Sequence, residues 1–241
     1  MNDYIKRIKQ SVLVFWQDFK SLPSAWLLLV QLLLLILSVL AYGNLSYRAA
    51  TWVIGVLLLL VVAKVIRQTP VFTILGLSCV VGAIFFSLLI LLGVRIKWVH
   101  ITAHGFESAA YFCAAYGLFR YMFHDRYLTK DELFAAGAVF TLLAWGFAFL
   151  YSICQLIYPS SFSSPNGQPL QAWFDLLFLS FSVQSATGLS DVMPVSPLAR
   201  MLAMVQMFFG AMYLAIIVSR LIALQYISYA PKHDDHSKNE P

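Results

Sequence analysis

S-A-T-G-L-S-D, residues 185–191, lies between two long apolar runs and directly follows the aromatic segment F-D-L-L-F-L-S-F-S, residues 174–182. This pattern predicts a short helix followed by a tight extended loop. At membrane depth, irregular backbone is tolerated only where it is buried in protein or lines a water-filled cavity. A loop of this kind between two apolar helices therefore predicts a pore.

The composition is that of a membrane protein. The 241 residues are 61% hydrophobic and only 11% charged, and the mean hydropathy is +0.78. A soluble domain has about 25% charged residues, so most of this surface is expected to lie in lipid. The net charge of +5 then requires no nucleic acid. The apolar stretches contain no acidic pair and no G-x-S-x-G motif, so we do not expect an enzyme.

Six apolar stretches reach or approach the roughly 20 residues that a membrane-spanning helix needs. They are 25–42, 50–66, 70–94, 106–123, 130–158 and 197–226. The predicted fold class is an all-α membrane protein of six transmembrane helices. The short helix and its loop are expected to re-enter the membrane between helices five and six.

Four parts are predicted along the chain. Residues 1–22 form an amphipathic interfacial helix, and residues 23–128 form a four-helix membrane domain. Residues 129–228 form a pore domain with its pore helix and filter at 171–191, and residues 229–241 form a disordered cytoplasmic tail.

The charge distribution predicts the orientation in the membrane. With the N-terminus in the cytoplasm, twelve of the 16 Lys and Arg residues fall on the inner side, as the positive-inside rule requires. Both termini are then cytoplasmic, and the protein is expected in the cell (inner or plasma) membrane. The same orientation places Asp191 on the outer side.

Residues 173–224 resemble the pore module of the potassium-channel superfamily. The resemblance depends on the order and spacing of several parts: the aromatic pore helix, the filter loop, V-M-P at 192–194, S-P-L-A-R at 196–200 and the inner-helix run G-A-M-Y-L-A-I-I-V-S-R-L at 210–221. It implies a cation pore in which four loops converge. Because one chain supplies one loop, the expected assembly is a homotetramer in membrane lipids.

The resemblance also implies roles for individual residues. The filter is expected at five consecutive positions: Ala186, Thr187, Gly188, Leu189 and Ser190. Asp191 would form a ring of carboxylates that concentrates cations at the outer mouth. Asp175, in the first turn of the pore helix, would complement the positive end of the helix dipole. Gly210 is a candidate hinge of the inner helix. No cofactor is implied, and the permeant ions would be K⁺ and, where selectivity is weak, Na⁺.

The filter departs from the family pattern T-V-G-Y-G-D, of which only Gly188 and Asp191 remain. Ala186 lacks the hydroxyl that would coordinate an ion on the cavity side, and Leu189 lacks the phenol that braces the filter. Ser190 must either adopt positive φ, at a cost of about 1 kcal/mol or more, or reorient its carbonyl. We therefore expect a weakly selective cation pore, or a filter that stays collapsed until something opens it.

The first four helices show no voltage-sensor pattern. Such a sensor carries Arg or Lys at every third position of the fourth helix, and the stretch 106–123 offers only Arg120. Packing is the expected role of these helices. The gating stimulus and any separate regulatory subunit stay open.

His100, His104 and Glu107 share one predicted helical face near the outer surface. Their spacing of i, i+4 and i+7 could hold zinc or another divalent metal. The two imidazoles could instead sense pH. A plain polar cap on an interfacial helix is the third interpretation.

Two other transport-related hypotheses remain. The loop also resembles those of Trk/Ktr-type potassium-uptake proteins, although such proteins carry four loops in one chain. Alternatively, the protein could be a non-conducting sensor or scaffold that retains a pore-like fold. Flux through reconstituted protein would discriminate between conducting and non-conducting forms.

Overall fold

The computed structural model describes residues 23–41, 73–94, 96–123, 130–163, 165 and 167–229. This part of the chain is mostly helical, as predicted. Its helices are α1 (Pro23–Ala41), α2 (Thr73–Leu91), α3 (Lys97–Met122), α4 (Lys130–Ile157), α5 (Trp173–Gln184) and α6 (Pro197–Tyr229). Two short strands, β1 (Phe162–Ser163) and β2 (Met193–Pro194), flank α5 in the sequence.

Three of the described helices are long and apolar enough to cross a membrane. Their apolar windows are Ile74–Leu91, Asp131–Ile157 and Pro197–Ala223, and α1 and α5 are apolar but shorter. The chain is therefore a membrane protein. The predicted helix at 50–66, the interfacial helix at 1–22 and the tail beyond residue 229 lie outside the described residues, so the count of six transmembrane helices stays a prediction.

Helix α3 differs most from its predicted bounds. It begins at Lys97, nine residues before the predicted start at Phe106. Ile96 at its N-cap makes no side-chain capping hydrogen bond, so no Ser, Thr, Asp or Asn marks the beginning of the helix. The added turns carry polar residues, which weaken the hydropathy signal without disfavouring helical backbone.

Helix α4 lies at the centre of the packing and contacts α1, α3, α5 and α6. Four of its alanines are fully buried: Ala135, Ala138, Ala144 and Ala148. Small residues let membrane helices approach closely. The main core joins α1–α4 with Leu177, Tyr213 and Ile217 from α5 and α6, so it is continuous across the predicted domain boundary at 128/129.

A second core lies beside the strand pair. It includes Tyr151, Leu176, Leu179, Phe162 and Val192. β1 and β2 pair antiparallel, with Phe162 opposite Pro194 and Ser163 opposite Met193. Because β1 precedes α5 and β2 follows the 185–191 loop, this pairing closes a loop of chain around them.

Polar contacts join the helix ends at the α4 N-terminus. The Asp131 carboxylate accepts hydrogen bonds from the backbone N–H of Ser24, at 3.1 Å, and from its hydroxyl, at 2.8 Å. It thereby satisfies an open N–H group in the first turn of α1. Arg220 of α6 donates to the Met122 carbonyl at the end of α3, and its Nη2 lies 3.6 Å from a carboxylate oxygen of buried Glu132.

Candidate functional site: the loop after helix α5

Helix α5 is held firmly at its beginning. The side chain of Gln155 on α4 forms two hydrogen bonds with the backbone of Gln171. Gln155 Nε2 donates to the Gln171 carbonyl at 3.1 Å, and the Gln171 N–H donates to Gln155 Oε1 at 2.8 Å. The ring of Trp173, the first residue of α5, lies 4.2 Å from the Phe149 ring, centroid to centroid. These contacts fix the direction of α5 relative to α4 at the start of the helix.

The end of α5 meets a group of buried polar side chains, which we call the buried amide cluster. It consists of Tyr151, Ser180, Gln184 and Gln206, each at most 1% exposed. Gln206 Nε2 faces the Ser180 carbonyl at 3.0 Å, the Ser180 hydroxyl at 2.7 Å and Gln184 Oε1 at 3.1 Å. The Tyr151 hydroxyl donates to Gln206 Oε1 at 2.5 Å.

Two further bonds connect this cluster to the backbone of α4. The Ser180 hydroxyl donates to the Ala144 carbonyl at 2.6 Å, and Gln184 Nε2 donates to the Phe140 carbonyl at 2.7 Å. Side chains from α5 and α6 therefore share one hydrogen-bond network with α4. Such networks are favourable in a low-dielectric interior when their members are satisfied.

Gly210 lies where α6 crosses the end of α5. A Cβ at this position would be 2.5 Å from the Gln184 carbonyl oxygen and 3.0 Å from its Cα. Only glycine permits this approach without a backbone shift. Helix α6 continues through Gly210 without interruption, so the structure supplies a packing role for it, and the hinge stays a prediction.

The 185–191 loop turns its N–H groups toward α5. The N–H of Ala186 donates to the Val183 carbonyl at 3.2 Å, and those of Thr187 and Gly188 donate to the Ser182 carbonyl at 3.1 and 3.4 Å. Further along, the N–H of Ser190 donates to the Ser182 hydroxyl at 3.1 Å.

The carbonyl groups of the loop consequently point the other way. In a planar trans peptide the C=O of one residue is antiparallel to the N–H of the next, and the described peptide bonds include no cis bond. The carbonyls of residues 185, 186, 187 and 189 are therefore directed away from α5. Within the described part of the chain, no donor forms a hydrogen bond to these oxygens.

Alternating backbone conformations produce this arrangement. Ser185 has φ of −81°, Ala186 +57° and Gly188 +66°, whereas Thr187 does not have positive φ. Alternation between right- and left-handed conformations places successive N–H groups on one side. The strain expected at Ser190 falls instead on Ala186, because Ser190 keeps ordinary φ while its N–H reaches Ser182.

The loop is open to its surroundings in the single chain. Residues 186–189 and Asp191 are exposed, and Leu189 is 73% exposed. Asp175 lies in the first turn of α5, outside the three apolar windows long enough to span a membrane. Burial, and secondarily the charge of Asp191, raises the pKa of Asp175 above its ordinary range.

The predicted metal ligands are not assembled in the structure. The described residues contain no group of three or more His, Cys, Asp or Glu side chains able to hold a metal ion. Glu107 has both carboxylate oxygens engaged, one 2.8 Å from His104 Nδ1 and the other accepting from the Ser87 hydroxyl at 3.0 Å. The rings of His100 and His104 are 6.5 Å apart, centroid to centroid. The three residues do share one helix, as predicted.

The sequence prediction missed the residues that hold the loop from behind. They are Tyr151, Ser180, Ser182, Gln184 and Gln206. One signal was available, because a glutamine inside an apolar membrane segment is costly unless it has a partner. Which partner it has depends on the packing of three helices.

A comparison with known proteins covers the part of the chain that contains this loop. Residues 137–225 match the family model described as Ion channel. No curated protein and no solved structure matches the chain. The match begins within α4, whereas the resemblance seen in the sequence begins at residue 173. It includes α5, the loop and most of α6. The match supports the predicted resemblance to the pore module of the potassium-channel superfamily, and over this segment the chain is similar to ion channels.

Proposed function

We propose that the protein is a homotetrameric channel that conducts monovalent cations across the cell membrane. One observation carries the proposal: the loop carbonyls at 185, 186, 187 and 189 point away from α5 and receive no hydrogen bond from the described residues. Carbonyl oxygens arranged in rings can replace the water shell of a cation. In this proposal α5 is the re-entrant pore helix and residues 186–190 are the filter.

Four copies would be needed to surround one axis. A single loop can supply only one side of a filter, and a closed ring of identical chains supplies the others. The exposed surface of α6 is strongly apolar and includes Met204, Met207, Phe208 and Phe209. An apolar helix surface of this kind suits contact with lipid or with neighbouring subunits.

Electrostatics favour cations. The C-terminal end of α5 is the negative end of its dipole, and it lies directly before the filter residues. Asp191 follows the filter on the exposed side and would form the outer ring of carboxylates. Because only Gly188 and Asp191 keep the family pattern, we propose that K⁺ passes with weak selectivity over Na⁺.

A conventional voltage sensor is not part of the proposal. Helix α3 carries Lys97 at its first residue and Arg120 in its last turn, without a basic residue at every third position. Both termini are proposed to lie in the cytoplasm, on the side favoured by the positive-inside rule.

Reconstitution with a matched pair of glycine variants tests the function. Gly188 and Gly167 have similar positive φ, +66° and +62°, and a Cβ would meet nothing within 4 Å at either position. Gly188→Ala and Gly167→Ala therefore impose the same backbone strain, of about 1 kcal/mol, inside and outside the filter. We expect Gly188→Ala to reduce cation flux into vesicles at least about tenfold and Gly167→Ala to leave it within about twofold.

The wild-type protein provides the decisive measurement. Reversal potentials in K⁺ and Na⁺ gradients should show passage of both ions, and the mass of the purified particle should correspond to four chains. Reversal potentials that show strong selectivity for K⁺ over Na⁺ would contradict the proposed weak selectivity. Absence of flux above that of empty vesicles would favour the non-conducting sensor or scaffold.

A further inference from the structure

The buried amide cluster connects α6 to the residues of α5 that hold the loop. Gln206 lies on α6, the proposed inner helix, and contacts α5 at two residues, Ser180 and Gln184. Ser182, between them in the sequence, accepts the hydrogen bonds of three loop N–H groups. The cluster therefore joins the inner helix to the part of α5 that holds the loop.

We propose that Gln206 is a positioning residue that sets the geometry of the filter and couples movement of α6 to it. This inference rests on the proposed function, because it assigns a role within the same pore. Gln206 does not touch a permeating ion in the proposal. It acts through Ser180 and Gln184 on the end of α5.

Tyr151 fixes the orientation of the Gln206 amide. Its hydroxyl donates to Oε1 at 2.5 Å, so the NH₂ group of the amide is directed toward α5. There it is shared among the Ser180 carbonyl, the Ser180 hydroxyl and Gln184 Oε1. Without the tyrosine hydroxyl, the amide loses the contact that selects this orientation.

The loop has few other supports. Leu189 stands where the family pattern has a tyrosine, and it is 73% exposed. The N–H groups of Thr187, Gly188 and Ser190 all depend on Ser182 of α5. A small shift at the end of α5 therefore moves every one of these acceptors together. Because Gly210 also packs on the backbone of Gln184, α6 cannot shift at this level without displacing α5.

Two tyrosines provide a matched test. Tyr151 on α4 donates to Gln206 on α6, and Tyr213 on α6 donates to the Ala136 carbonyl on α4 at 2.6 Å. Tyr151→Phe and Tyr213→Phe each remove one buried hydroxyl between the same two helices. Only Tyr151→Phe disturbs the buried amide cluster, so the comparison separates filter positioning from general helix packing.

The first measurement is amide hydrogen exchange over residues 185–191 in the full chain in lipid nanodiscs. We expect exchange to be at least about fivefold faster in Tyr151→Phe, and within about twofold of wild type in Tyr213→Phe. The second measurement is the K⁺ to Na⁺ permeability ratio from reversal potentials. It should change at least about threefold in Tyr151→Phe and stay unchanged in Tyr213→Phe.

Gln206→Met, which keeps the length of the side chain, should reproduce both effects. The double variant with Tyr151→Phe should add little to it, since Tyr151 acts through Gln206. Equal exchange rates in the two tyrosine variants, with equal permeability ratios, would overturn the proposal and leave the cluster a packing feature. If wild-type vesicles show no flux, the proposed function fails, but hydrogen exchange still decides whether Gln206 positions the loop.

Discussion

Ala186 has a backbone conformation that residues with side chains rarely adopt. Its φ of +57° costs roughly 1–2 kcal/mol relative to the right-handed region. Hydrogen bonds to α5 offset this cost, because the N–H groups of Ala186, Thr187 and Gly188 all donate to carbonyls of α5. Strained residues of this kind concentrate at functional sites, where the surrounding structure holds them in place.

Asp191 follows the proposed filter residues and is exposed. Four such carboxylates would concentrate cations near the outer mouth. We expect Asp191→Asn to lower single-channel conductance about two- to threefold near 10 mM salt and to have little effect at 1 M, where the Debye length is about 3 Å.

Asp191→Glu is the control for this prediction, because it keeps the charge at the same position. It should retain most of the conductance at low salt. A loss of conductance that is equal at both salt concentrations would mean that Asp191 acts by a route other than its charge.

The crossing of α5 and α6 decides how closely α6, the proposed inner helix, approaches the proposed filter. At Gly210 the two backbones are so near that a methyl group would overlap the Gln184 carbonyl, with 2.5 Å between the atoms. The same crossing brings Gln206, one turn earlier on α6, against Ser180 and Gln184. One glycine therefore permits the packing that the buried amide cluster requires.

Gly210→Ala should destabilise the protein, and Gly105→Ala is the matched control. At Gly105 in α3 a Cβ would meet nothing within 4 Å, so alanine should stabilise that helix by up to about 1 kcal/mol. At Gly210 overpacking should cost about 1–3 kcal/mol and reduce cation flux. Thermal unfolding of both variants measures the difference, and a stable, conducting Gly210→Ala protein would contradict the close crossing.

A buried ionic contact connects α6 with α4 and α3 at the far end of the inner helix. Arg220 lies 3.6 Å from Glu132, which is 2% exposed, and its guanidinium carbon is 4.5 Å from the centre of the Phe123 ring. It also donates to the Met122 carbonyl. The inner helix is thus held to the other helices at two levels, at Arg220 and at Gln206.

Removal of one partner from this pair should be costly. Arg220→Gln removes a cation beside the buried Glu132 carboxylate, and we expect a loss of about 3–5 kcal/mol in the free energy of unfolding. The double variant with Glu132→Gln should recover part of that loss. Arg200→Gln on the exposed part of the same helix should change stability by less than about 0.5 kcal/mol. Denaturant unfolding of the four proteins measures these differences.

Much of the fold follows from patterns that are local in the chain. Hydropathy and the Pro-rich segment around 159–170 placed α4 within one residue of its observed bounds and α6 within three, and the loop at 185–191 lies where it was predicted. Local signals suffice there because apolar runs and turn residues act on backbone near them in sequence. The start of α3 was missed because no capping residue marks it.

Local sequence patterns could not predict the contacts that hold the candidate filter. Tyr151 meets Gln206 across 55 positions of the chain, and Ser180 meets it across 26. A buried glutamine indicates that a partner must exist, but the packing of α4, α5 and α6 selects that partner. The loop shows the same division. Its residues resemble those of a cation-channel filter, a likeness visible in the sequence alone. Its N–H bonds to Ser182 and Val183 depend on the fold and turn its carbonyl oxygens outward, because a trans peptide fixes the two groups on opposite sides.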